Sequence, residues 1–462
     1  MSEAKELKEK LYYVKENGRK NASGETLSAA DKFCEGYKQF LGLAKTERKF
    51  VNNAVMLAEK NGFSEFDPNG SYLPGDKVYY NNRNKALILT VFGKKPLEEG
   101  VRISAAHIDS PRLDLKQNPL YEDTDIALFK THYYGGIRKY QWPVMPLSLI
   151  GVIMKKDGTA VDINIGEDES DPCFVVTDLL PHLSAEQSKR KLSDGIKGEE
   201  LNIIVGSHPF KDDDESELVK LNILKILNDK YGITEEDFLS AELEAVPSYK
   251  PRDIGLDRSM IGAYGHDDRV CAYPALMAAL NTVAPTYTAV TVLTDKEEIG
   301  SEGNTGLNSS YLKYFIEDLA KQQGTFGYRV LRNSMCLSAD VNAAFDPTFP
   351  TVMEKRNASY INKGVVVTKY TGSRGKYDTS DASAEYVSKI RTLLDNANIV
   401  WQIGELGKVD EGGGGTVAKY IASLDVDVID LGVPVLSMHS PFEVVAKFDV
   451  YMAFLAFCEF FK

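Results

Sequence analysis

Residues 287–301 read Tyr-Thr-Ala-Val-Thr-Val-Leu-Thr-Asp-Lys-Glu-Glu-Ile-Gly-Ser. The alternating β-branched residues that open this stretch are the pattern of a buried strand. No polar linker separates them from Asp295, Glu297 and Glu298, and the chain then turns at Gly300. A core strand that runs straight into carboxylates must deliver them to the rim of a sheet. Two adjacent carboxylates repel unless something neutralises them, and a divalent cation does so because its charge dominates the local field. One glutamate can then hold the ion while its neighbour takes a proton from water at that ion. Taken alone, a Glu-Glu pair is more often a solvated acidic turn. The surrounding segments change that balance.

From Pro251 onward the chain alternates strand-like and helix-like segments. Helices are expected at 270–282, Tyr311–Gln322, 382–396 and 442–461, and strands at 334–337, 364–370, 399–403, 426–431 and 433–438. Repeated βα units imply a mostly parallel sheet covered by helices, an α/β fold in which ligands gather at the carboxyl ends of strands. Residues 1–62 read as helical, and 86–92 and 101–106 as neighbouring core strands, the second stopping before Pro111. Between 116 and 250 the character changes to short strands (149–154, 173–177, 201–205), Gly/Asp turns and few signals for long helices. The acidic run 212–217 reads as a solvated loop or helix start. Tyr133, Tyr134 and Trp142 look exposed, and the segment suits a subunit interface better than a catalytic centre. The division expected is therefore 1–115 plus 251–462 as one domain and 116–250 as a β-rich insert.

Charge narrows the partners. Lys and Arg total 54 against 67 Asp and Glu, a formal net charge of −13, which disfavours nucleic acid and anionic membrane surfaces. No apolar run approaches a membrane span, and the charged start does not read as a signal peptide. Five scattered cysteines without a CxxC pair argue against a disulfide framework or zinc finger, so a cytoplasmic protein is expected.

Histidines and carboxylates recur at the ends of apolar stretches: His107 with Asp109, Asp267-Asp268, Glu297-Glu298, Asp340 and His439. Such a mixed nitrogen and oxygen set suits Zn²⁺, with Mn²⁺ or Co²⁺ also fitting, and it is large enough for two ions with one bridging carboxylate. The long spacing excludes a single-helix motif. Gly412 to Gly415 with Thr416 form a glycine loop at a helix start, able to bind an anion. It lacks a Walker lysine, which argues against nucleotide.

Together, His107-Ile-Asp-Ser-Pro111, Gly265-His-Asp-Asp-Arg269, Asp295-Lys-Glu-Glu-Ile-Gly-Ser301, Ser338-Ala-Asp-Val-Asn342 and Met438-His-Ser-Pro441 resemble, in content and order, the aspartyl aminopeptidase family of metallopeptidases. The resemblance runs from about residue 20 to the end. It implies a zinc exopeptidase type of fold with an inserted dimerisation domain, assembling as a homo-oligomer, dimer-based and often a dodecamer. It implies hydrolysis of the first residue from peptides with a free N-terminus, by a water shared between two divalent metal ions, zinc foremost. Carried over by position, Asp267 bridges, His107 and Asp340 complete one site, and Glu298 and His439 complete the other. Glu297 is then the general base, and Asp109 accepts the second imidazole N–H of His107. The peptide bond after Asp267 is expected to be cis. The glycine loop, at Gly413 and Gly414, would approach substrate. Lys369, with Arg374 next, falls nearest the position of a cation that would select an acidic first residue, though some relatives prefer neutral ones. His266 is expected to pack beside the bridging position. His182 lies in the segment that can reach a neighbouring active site, but the family histidine aligns with Glu186. Alternatives are a tetrahedral-particle aminopeptidase, a two-zinc deacylase, a two-metal phosphatase, or a non-catalytic assembly protein on the same fold.

Overall fold

A computed structural model describes residues 2–211 and 215–462. The first three residues of the acidic run, Asp212 to Asp214, lie outside the described residues; Glu215 to Glu217 lead into a helix, Leu218–Tyr231.

The strand that ends in the carboxylates, Ala289–Thr294, sits inside a nine-stranded sheet. Its neighbours are Ala86–Val91, antiparallel, and Arg102–His107, parallel. Met335–Ser338 and Asp427–Gly432 continue the parallel run. Val365–Thr368 and Trp401–Ile403 close one side, and Lys77–Asn82 with Ser64–Glu65 the other. Ala289–Thr294 and Ala86–Val91 are buried at every position, because helices cover both faces of the sheet. Gly24–Leu43, Glu47–Lys60, His266–Asn281 and Lys447–Phe460 pack one face through Tyr37, Phe50, Leu276 and Phe457. Tyr311–Gln322 covers the other through Leu312, Phe315 and Leu319. The first two of these helices start on side-chain caps, with Ser23 Oγ accepting from Thr26 N (3.1 Å) and Thr46 Oγ1 from Lys49 N (3.3 Å).

A second, fully antiparallel sheet of seven strands is built on the hairpin Arg112–Asp123 and Ile126–Tyr134, with Leu147–Met154 and Ala241–Pro247 beside it. The hairpin escapes a periodicity reading because Lys116 to Pro119 interrupt the apolar pattern. The register shifts between Leu115 and Leu120 to absorb them, which is where a sheet can hold proline. The helix Leu218–Tyr231 was likewise not legible as a long helix; it closes on Gly232 at φ +65°. Trp142, expected to be exposed, is completely buried in the core behind this sheet, and Tyr134 is buried as well, leaving Tyr133 at the surface.

Of a third sheet of five short strands, Arg252–Ile254, Met260–Ala263, Glu443–Ala446, Pro434–Leu436 and Asn342–Ala343, the sequence reading anticipates only Pro434–Leu436, which lies inside the strand expected at 433–438. The C-terminal helix accordingly starts at Lys447 and not at 442, since Glu443–Ala446 pairs with Met260–Ala263. Asp253 in this sheet is ringed by Lys38 (2.7 Å), Arg258 (2.9 Å) and Lys447 (3.1 Å). Burial would raise its carboxyl, but those hydrogen bonds outweigh it and hold it well below the ordinary carboxylate range. A depressed folded value means the stabilisation is complete above the unfolded value, about 3.9, and is lost as pH falls through the folded one. Asp253→Asn is therefore expected to cost about 2 kcal/mol at pH 7. The gap between variant and parent should narrow below pH 4, read from urea midpoints; a gap independent of pH would contradict this.

Candidate metal centre

Strand order, not sequence proximity, assembles the polar cluster. His107 ends its strand beside Thr294, three residues before Glu297, and Ala105 pairs with Ser338, two residues before Asp340. These strands run parallel, so His107, Glu297, Glu298 and Asp340 emerge at the same edge. The five-stranded sheet brings two more: Met260–Ala263 leads to Asp267, and Pro434–Leu436 leads to His439.

Asp267 stands at the centre. Its Oδ1 is 3.1 Å from His107 Nε2 and its Oδ2 is 3.2 Å from His439 Nε2. Around His107 Nε2 lie Glu297 Oε2 at 3.9 Å and Asp340 Oδ1 at 4.0 Å, and Glu298 Oε2 is 3.6 Å from His439 Nε2. The Asp267–Asp268 peptide bond is cis. Oxygen and nitrogen atoms of His107, Asp267 and Glu298, and separately of His107, Asp268 and Asp340, lie within 4.8 Å of one another.

Asp109 is fully buried and works from behind. Its Oδ1 is 3.3 Å from His107 Nδ1, and its two oxygens accept the backbone N–H groups of Glu297 and Glu298, each at 3.2 Å. Tyr134 donates its hydroxyl to Asp109 Oδ2 at 2.8 Å, so the antiparallel sheet also touches this carboxylate. Ser110 Oγ donates to the Asp267 carbonyl at 2.6 Å. His266 belongs to the packing: Nε2 faces the Ile261 carbonyl (3.2 Å) and Nδ1 the Tyr37 hydroxyl (2.8 Å). Burial takes its imidazole down to about 3, so it is neutral, donating at Nε2 and accepting at Nδ1.

Ionised together, the carboxyls here outnumber the imidazoles, an excess of negative charge that a divalent cation would offset. Carboxyls of Asp109, Asp267, Asp268, Glu297, Glu298 and Asp340 face two imidazoles, of His107 and His439. Burial pushes Asp268, Glu298 and Asp340 well above the carboxylate range and Glu297 up to about 7. For His439, burial works downward, and Glu298 and Asp267 overcome it, raising the imidazole to about 11. Glu298 Oε1 and both oxygens of Asp268 are buried with no hydrogen-bond partner. Unpartnered buried acceptors of this kind are costly, and divalent cations satisfy them. The residues fit zinc.

Residues 40–461 match the family described as Aminopeptidase I zinc metalloprotease (M18). The chain belongs to the M18 family of zinc aminopeptidases. A probable M18 family aminopeptidase 1 of Clostridium acetobutylicum is 52% identical over 435 residues, covering 92% of this chain and 93% of that protein. The crystal structure of aminopeptidase I from Clostridium acetobutylicum superposes with a TM-score of 0.93 at 47% identity, over 98% of this chain and 100% of that one. An M18 aminopeptidase structure from Thermotoga maritima gives 0.92 at 44%, over 98% and 100%. The tetrahedral-particle, deacylase and phosphatase alternatives give way to this assignment.

In this M18 aminopeptidase the cluster opens into a cavity of about 570 Å³, a size suited to a small ligand. Gly413, Gly414, Gly415 and Thr416 line it. Gly413 sits at φ +113°, and a methyl group there would fall 1.7 Å from the Gly372 carbonyl oxygen, so only glycine fits. Lys369 is not among the described lining residues; it pairs with Asp381, which Lys376 also contacts at 2.8 Å. Arg374 does not line the cavity either. Lys419 does, 3.6 Å from Asp378, and it is the one Lys or Arg among the described lining residues. His182 and Glu186 are exposed, with Glu186 paired to Lys189. Sequence reasoning missed Tyr134, Lys419 and Glu443 as residues of the site, and it named Asp268 in the carboxylate set without a role of its own. For Glu443 a signal existed, a lone carboxylate inside Phe442-Glu443-Val444-Val445-Ala446, but it was absorbed into the expected helix.

Proposed function

We propose that the chain removes the N-terminal residue from peptides using two divalent cations, zinc ahead of manganese or cobalt. His107, Asp340 and Asp267 would hold one, and His439, Glu298 and Asp267 the other. The observation that carries this reading is the position of Asp267, whose two oxygens face two different imidazoles at 3.1 and 3.2 Å. A carboxylate so placed can serve two centres at once. When bound, the cations supply Lewis-acid polarisation of the substrate carbonyl and acidify water.

Glu297 is the general base in this scheme. Burial raises its carboxyl, His107 pulls it down, and Asp109 and Asp267 raise it again, leaving it at about 7, where a base can both take and return a proton near neutrality. Asp109 fixes the direction of that carboxylate through the Glu297 N–H and fixes the His107 ring through Nδ1. The carboxylates at the cavity floor attract the ammonium group of a free N-terminus, which confines cleavage to the first residue. Gly413 and Gly414 let substrate approach the backbone closely.

In the same reading, 1–115 plus 251–462 form the catalytic domain and 116–250 the oligomerisation domain. Leu179, Leu180, Leu183 and Leu192 stand exposed there, as a homo-oligomer contact would require. The chain would assemble from dimers, with a dodecamer as a closed form. Its five cysteines are unpaired, as suits a reducing cytoplasm, and no described helix is long and apolar enough to cross a membrane.

A panel of aminoacyl-nitroanilides tests this. Turnover should be abolished by 1,10-phenanthroline and restored by added zinc, and N-acetylated substrates should be refused. The panel also reads the first-residue preference, acidic or neutral. Chelator-resistant activity would overturn the proposal.

A further inference from the structure

Glu443 is 1% exposed and has no cationic side chain in salt-bridge reach among the described residues, yet it sits within hydrogen-bond reach of two segments that the sequence keeps 172 residues apart. Its Oε2 accepts the backbone N–H of Asp267 at 3.0 Å, and its Oε1 accepts that of His439 at 2.8 Å. The strand register sets this up, because Glu443 lies directly opposite Ala263, four residues before Asp267. Asp109 does the same on the other side, taking the N–H groups of Glu297 and Glu298. His439 needs such a hold, since its backbone sits at φ +62°, a conformation that non-glycine residues seldom adopt.

We propose that Glu443 is a positioning residue that fixes the spacing between Asp267 and His439, and thereby the affinity of the site for its second cation. This rests on the two-cation reading above. A carboxylate can accept two N–H groups at once through charge-assisted hydrogen bonds. A glutamine cannot: one oxygen accepts, while its NH₂ meets the other N–H donor to donor. An aspartate is one methylene too short to reach both.

The test is Glu443→Gln, with Glu443→Ala beside it, stripped by chelator and titrated with ZnCl₂ in a calorimeter. Zinc affinity at the weaker site of Glu443→Gln should fall about 10-fold or more, the range seen when groups behind metal ligands are changed. The visible spectrum of the cobalt-loaded variant should change with it. Asp449→Asn is the control. Asp449 is another buried carboxylate, accepting the N–H groups of Asn362 and Gly364 at 2.7 Å each, but it does not line the cavity. It should lower the melting temperature and leave zinc affinity intact. If Glu443→Gln binds zinc as the parent does, or loses only melting temperature as Asp449→Asn does, the positioning role is wrong. Should Glu443→Ala fail to fold, the glutamine variant still decides. A parent protein that takes up no zinc would overturn the two-cation reading as well, which separates the two failures.

Discussion

Glu297→Gln is expected to keep its zinc and lose kcat by about 10²–10⁴-fold, equivalent to about 3–5 kcal/mol of barrier. Glutamine preserves the shape and leaves the backbone N–H on Asp109 untouched, so the loop that also carries Glu298 stays in place. What disappears is a group able to accept a proton and hand it back to the leaving amine. The proposed base role rests on a Glu297 carboxylate that lines the cavity, with Oε2 3.9 Å from His107 Nε2. KM should move little, since the substrate ammonium still meets the remaining carboxylates. Steady-state kinetics with zinc content measured on the same preparation checks the expectation. A variant that stays active assigns the proton transfer to another group.

The second large effect is Asp267→Asn. Here the loss should be of metal as well as turnover, with zinc affinity falling about 100-fold or more, beyond the 10–100-fold typical of residues that act from behind the ligands. Asparagine keeps the backbone N–H to Glu443 and the carbonyl contact to Ser110, so the fold around it is preserved. It offers one carbonyl oxygen where two anionic ones face His107 and His439, and a neutral amide cannot offset two positive centres. Burial would raise the Asp267 carboxyl, but the two imidazoles outweigh it and hold the group well below the ordinary range. Zinc stoichiometry after dialysis reads the outcome. Two tightly held zinc ions in the variant would remove Asp267 from the bridging position.

The two predictions differ in what the sequence could say about them. Glu297 and Glu298 are legible because a β-branched run ends on them with no linker, and a strand end in a parallel sheet has a known destination. His107 and Asp340 follow from the same logic. Tyr311–Gln322 was readable to the residue, its apolar face repeating at helical spacing. By contrast, the strand at 443–446 reads as the start of a helix, since four residues are too few to show a period and the apolar stretch beyond them is helical. Trp142 and Tyr134 read as exposed aromatics in the sequence, whereas Trp142 fills the core behind the antiparallel sheet and Tyr134 is buried with its hydroxyl on Asp109.

The sequence by itself determined the ends of the central strands that carry His107, Glu297, Glu298 and Asp340, because hydrophobic period and turn chemistry are local properties. It also carried the motif order that marks an M18 aminopeptidase. Only the tertiary structure decided that Asp267 and His439 meet, that Glu443 takes both of their N–H groups, that Tyr134 reaches Asp109 from another sheet, and that Lys419 lines the cavity while Lys369 is spent on Asp381. Those contacts join residues from distant parts of the chain. They depend on the order in which strands pair and on the register of a five-stranded sheet whose strands are two to four residues long, and neither leaves a periodic trace in the sequence.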